Sequence, residues 1–153
     1  MKTRTPIKLP LTDFEKQSLK KSKVKISEIF NYPVDELEVL LNSSSDRARE
    51  IFALVEFQAV PSIGIKFAED LVLMGYYSLE ELKEKNGATL TDEYEQKKGF
   101  QTDPCVEDQF RLAVYYDNTK DSTKTWWNFT EERKKFRLEN GYPKNRPKKA
   151  WHQ

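Results

Sequence analysis

The chain has almost none of the residues from which small proteins build covalent or metal-held frameworks. Its 153 residues include one cysteine, Cys105, and one histidine, His152. A single thiol excludes an intramolecular disulfide, and one Cys with one His cannot fill the four tetrahedral positions of a structural zinc site. A reducing compartment is the expectation. Glycine is scarce, with five residues, which excludes collagen-like sequence. No apolar run reaches the roughly 18 to 20 residues a membrane span needs, and the first residues carry no uninterrupted signal-type apolar stretch. The expectation is a cytoplasmic protein with no membrane partner. His and Cys clusters and Gly-rich phosphate loops are also missing, which counts against an enzyme.

What the chain does have is enough apolar and aromatic material for a core, 37% and 12% of residues respectively. A chain of this length hides roughly 68 to 70% of its unfolded surface in one domain. Charge is unevenly distributed. Residues 1–25 hold eight basic side chains against Asp13 and Glu15, a net of six positive charges. Residues 120–153 hold ten basic against four acidic, again six positive, so the centre carries a net of eleven negative charges. Basic ends on an acidic centre can meet phosphate or another anionic surface, or can fold back and neutralise the protein's own acids. The sequence alone leaves these readings open.

The periodicities are helical throughout, and the fold class expected is all-α. Thr12-Asp-Phe-Glu15 is a capping box that opens a polar helix running to about Lys21. Pro33 starts a helix with Leu37, Leu40 and Leu41 on one face, ended by the cluster from Asn42 to Asp46, which also caps the next. Ala48, Ile51, Phe52 and Val55 fall at i, i+3, i+4 and i+7, predicting a helix over 46–58. Further helices are expected over 65–74, over 79–86 from the capping box Ser78-Leu-Glu-Glu81 to a stop near Gly87, and over 89–98 to Gly99. Asp103-Pro104 is an N-cap with proline at the first helical position and opens a helix over 104–117. A last helix begins at Thr130 and closes at Asn140-Gly141. The tail from Pro143, rich in Pro and Lys, is expected to be extended, with Trp151 docked.

Between the 46–58 and 65–74 helices lies Val60-Pro61-Ser62-Ile63-Gly64, with the small Ala68 four residues on. This resembles the helix-hairpin-helix motif, whose hairpin reads hydrophobic-Pro-Gly-hydrophobic-Gly. The spacing has a physical sense. A tight hairpin ending in Gly lets a phosphate approach the backbone N–H groups of the second helix, where the macrodipole also favours negative charge. Ile63 would plug the gap between the two helices. Ser62 departs from the motif, since glycine is usual there and a Cβ is disfavoured in a left-handed backbone.

A wider match spans 45–117, through an Arg-Ala pair, Glu56-Phe57-Gln58, Asp103-Pro104-Cys105 and Phe110-Arg111-Leu112-Ala113-Val114-Tyr115-Tyr116. Together these resemble the small bacterial helix-hairpin-helix proteins of the pathogenicity-locus family. The resemblance implies a tandem helix-hairpin-helix-like bundle and DNA contact, and no cofactor is expected. The chain is expected to divide into a basic N-terminal helical segment, 1–44, the helix-hairpin-helix domain that the resemblance covers, 45–117, and an aromatic, basic C-terminal helix and extended tail packed on the domain, 118–153. Its phosphate-binding residues would be Pro61, Ser62, Ile63, Gly64 and Lys66. The DNA would be double-stranded or branched and bound without regard to sequence. Lys66 is the only basic residue from Ala59 to Leu82, however, among Glu69, Asp70, Glu80 and Glu81, which favours the rival reading of a protein-interaction or structural domain.

Three other features carry chemistry. Cys105 lies at a helix N-terminus, but no base is near it in sequence, so it is expected to be a packing residue. Asp103 and Glu107, with Asp108 beside them, have a spacing that could hold a divalent ion, although the helix dipole alone explains acids there. Trp126, Trp127 and Phe129 could stack on nucleic-acid bases, with core packing the expected role.

Overall fold

The computed structural model describes residues 6–153. Lys2 and Arg4 of the N-terminal basic run lie outside the described residues. The fold is all-α, and the only β feature among the described residues is an isolated bridge. The described residues group into two compact units, the first formed by residues 6–59 and 64–78, the second by 60–63 and 79–153. No helix among the described residues is long and apolar enough to cross a membrane.

In the first unit, α1 (Asp13–Lys21) opens with the expected capping box: Thr12 Oγ1 accepts the Glu15 N–H at 3.1 Å and Glu15 Oε1 accepts the Thr12 N–H at 2.9 Å. Two orphan donors are thereby satisfied reciprocally. A 3₁₀ turn over Ile26–Asn31 buries Ile29. It leads to α2 (Val34–Leu41), which ends at Asn42 in the left-handed conformation. Ser44 Oγ caps α3 (Ser45–Gln58) by accepting the Arg47 N–H. Then α4 (Ile65–Leu73) runs to a reversal at Gly75, whose φ of +93° explains glycine there. The core forms where α3 packs on α2, on α4 and on the 3₁₀ turn, with Leu37, Leu41, Ile51, Leu54, Phe57 and Leu71 excluded from water. The basic N-terminal run is part of this fold, because Leu11, Leu19 and Val24 are buried between its lysines.

In the second unit, α5 (Gly87–Lys98) packs along α6 (Pro104–Thr119). Asp103 Oδ1 caps α6 through the Cys105 N–H, with Pro104 first in the helix as expected. A second 3₁₀ turn, Trp126–Phe129, leads into α7 (Thr130–Asn140). Beyond α7 the tail docks through its backbone: Gln101 donates to the Lys149 carbonyl, and Trp151 N–H donates back to the Gln101 carbonyl, in a parallel bridge. The Trp151 ring itself is nearly half exposed.

Three expectations need correction. The helix expected over 79–86 is only a 3₁₀ turn, Leu79–Leu82, with both leucines buried. Residues three apart eclipse in such a turn, so one turn serves both. Asn86 then acts as N-cap of α5, its Oδ1 accepting the Ala88 and Thr89 N–H groups, which makes Gly87 the first residue of a helix rather than a stop. Gly87 is there for space. A Cβ on it would lie 2.9 Å from the Arg111 Cα. The aromatic cluster, finally, does not supply the core: Trp127 is 57% exposed, and Trp126 and Phe129 are half-buried.

Candidate functional site

The hairpin is a sharp reversal. Ile63 N–H donates to the Val60 carbonyl at 3.2 Å, and Ser62 between them has a φ of +61°. The left-handed conformation inferred for a motif glycine is therefore adopted here by serine, at the cost of crowding its Cβ. The side chain has its own contact, since Ser62 Oγ accepts the Trp126 N–H at 3.0 Å. This bond holds the turn carrying exposed Lys124 and Trp127 against the hairpin tip. Pro61 is half-buried, Ser62 exposed and Ile63 buried.

One residue further on, Gly64 is the N-cap of α4 in extended backbone, and no side chain caps that helix. Nothing lies within 4 Å of where a Gly64 Cβ would be, so the glycine relieves no clash inside the protein. Lys66 is exposed on the first turn. The five predicted residues thus form a continuous, largely accessible stretch with an open helix N-terminus. A helix start of this kind presents amide donors to an anion.

The charges divide differently from what their positions in the sequence suggest. The C-terminal arginines pair inward. Arg137 bonds Glu107 at 2.8 Å and Asp92 at 2.9 Å, Arg133 bonds Asp108 at 2.8 Å, and Arg146 bonds Glu95 at 2.8 Å. Arg111 completes the Glu107 pair at 2.9 Å, and Thr130 donates to Asp108. Glu95, Glu107 and Asp108 are all buried, and each has its charge met by at least one guanidinium. Sequence order could not show the pairings of Arg133, Arg137 and Arg146, because their partners lie 25 to 51 residues away.

The same pairings define what the acidic residues do. Both Glu107 oxygens accept from arginines and Asp108 is held by Arg133, while Asp103 caps α6. Among the described residues no group of three or more His, Cys, Asp or Glu is arranged for a metal ion. Cys105 is half-buried, and burial followed by the hydrogen bond to Asp103 pushes its thiol up to about 11. At neutral pH it is a protonated, weak nucleophile.

These features define a small all-α module with an accessible polar hairpin between two packed helices. A family model described as Cdd1, Pathogenicity locus, matches residues 50–135. That is more than half of the chain, and the chain belongs to the pathogenicity-locus family. No curated protein and no solved structure gives a match.

Proposed function

We propose that this protein is a non-enzymatic module that binds DNA through backbone phosphate, without reading sequence, using a helix-hairpin-helix at Pro61, Ser62, Ile63 and Gly64 with Lys66. The observation that carries the reading is the Gly64 N-terminus of α4, which has no side-chain cap and open space where a Cβ would stand. A phosphate oxygen there would meet amide donors and the positive end of the helix dipole. Lys66 adds one cation from the same turn. Contacts of this kind position a duplex and carry no base information.

The test is Ser62→Asp combined with Lys66→Glu. Both positions are exposed, and acids near a helix N-terminus are mildly favourable to the helix. The double variant is expected to keep its melting temperature within a few degrees and to lose at least about tenfold, or 1.4 kcal/mol, in duplex or branched DNA affinity. Parent-like binding would make the hairpin architecture only. The observation favouring a second reading, a protein-interaction domain, is the inward pairing of Arg133, Arg137 and Arg146, which withdraws three cations from any external phosphate.

A further inference from the structure

The first unit holds a groove of about 350 Å³ that the hairpin reading does not use. Its floor is Leu11, Leu19, Val24 and Ile26, and its rim is Lys16, Lys20, Lys23 and Lys25. The construction follows from the chain. Lys16, Leu19, Lys20 and Lys23 fall at i, i+3, i+4 and i+7 and share one side of α1 and its end. The chain then reverses, with Lys23 N–H donating to the Lys20 carbonyl and Val24 N–H to the Leu19 carbonyl, so that Val24 to Ile26 close the other wall. All four lysines are exposed, and none forms an ion pair among the described residues. No carboxylate lines the groove. Glu15, the nearest buried acid of α1, is already held by Arg47 at 2.9 Å.

Lys23 stands at the turn that ends α1. Its φ is +57°, at the reversal after a helix where glycine is the favoured residue. Its side chain stands on the rim of the groove.

We propose that this groove binds an acidic peptide segment of a partner protein that inserts an apolar side chain between the lysines. Charge complementarity selects an anion, and the aliphatic floor selects its chemistry. Single-stranded nucleic acid would need an aromatic surface for its bases, and none of the eight lining residues is aromatic. A leucine or phenylalanine would instead remove apolar wall from water while flanking carboxylates met the rim. The proposal is independent of the hairpin, since it uses other residues and another ligand.

Fluorescence anisotropy with a labelled peptide tests it, the peptide carrying a Leu-Phe pair flanked on each side by glutamates. A dissociation constant of about 10 to 100 µM is expected. Replacing the Leu-Phe pair by serines, substituting Lys16→Gln with Lys20→Gln, or filling the groove by Ile26→Trp should each weaken binding at least about fivefold. Lys23→Gly should raise the melting temperature and still weaken binding, which no general loss of folding would produce. Absence of binding at 1 mM overturns the proposal, as does a serine-substituted peptide that binds as well as the parent peptide. Preferential binding of a single-stranded oligonucleotide, lost in the lysine variants but kept in Ile26→Trp, would assign the groove to nucleic acid and overturn it equally.

Discussion

Ser62 combines two opposing contributions in one side chain, a Cβ in left-handed backbone and a hydroxyl that accepts the Trp126 N–H. Ser62→Ala keeps the crowding and loses the hydrogen bond, and is expected to cost about 1 kcal/mol in chemical denaturation. Ser62→Gly loses the same bond but relieves a left-handed strain of about 1 kcal/mol, so its stability should stay close to that of the parent. A glycine variant as unstable as the alanine variant would show that the φ is not strained. Cys105 gives a second test. With its thiol held near 11 by burial and Asp103, alkylation of the folded protein should be slow at pH 7 and accelerate as pH rises toward 11. Rapid labelling at neutral pH would contradict that environment. The hairpin was legible in the sequence from Pro61, Ile63, Gly64 and Ala68, whereas the partner of Ser62 was not, because Trp126 lies 64 residues away.

Several helices were legible from a local signal at their start, although the box read at Ser78 to Glu81 opens only a 3₁₀ turn. Thr12 with Glu15, Ser44, and Asp103 with Pro104 each place a hydrogen-bonding side chain at a helix start within three residues of its acceptor or donor, and all of them cap as read. The other two corrections arise where tertiary space decides. Gly87 looks like a terminator until α6 is packed against it, and the tryptophans look like core until Leu82, Leu90 and Leu112 of their own unit are seen to fill it. Gly87→Ala therefore tests the α5 to α6 packing. Its methyl group would meet the Arg111 backbone, and a loss of about 1 to 3 kcal/mol is expected in thermal or urea unfolding. Full tolerance would mean that the two helices can separate without cost.

The link from α1 to α3 is electrostatic and has a pH signature. The Arg47 hydrogen bonds beside Glu15 hold its carboxyl below the usual carboxylate range, against the opposing effect of burial. A depressed native carboxyl contributes stability that is present in full above the unfolded value and is lost as pH falls through the native one. Glu15→Gln should consequently reduce stability near pH 7 and flatten the decline on acidification. An unchanged acid profile would show that the pair contributes nothing.

Across the entire chain, the two basic ends have different fates. The C-terminal arginines neutralise acids that the central sequence supplies, and the lysines of α1 remain outside facing solvent. Composition revealed the partition but could not tell these fates apart, because arginine and lysine count equally in a net charge. Removing residues 1–25 would also take away Leu11, Leu19 and Val24 from the core, so the contribution of the end is best read from lysine substitutions. Lys16→Gln with Lys20→Gln is expected to leave duplex affinity and its salt dependence as in the parent, because phosphate contact belongs to the hairpin.

That assignment is tested most directly by the salt dependence of DNA association, measured for the parent and for Lys66→Gln on two duplexes of unrelated sequence. Each neutralised phosphate contributes about −0.9 to the slope of log affinity against log salt. The parent should give the same slope on both duplexes, and Lys66→Gln should flatten it by about 0.9 on each while the melting temperature holds. No association at low salt, or a slope untouched by Lys66→Gln, would contradict phosphate binding at this hairpin.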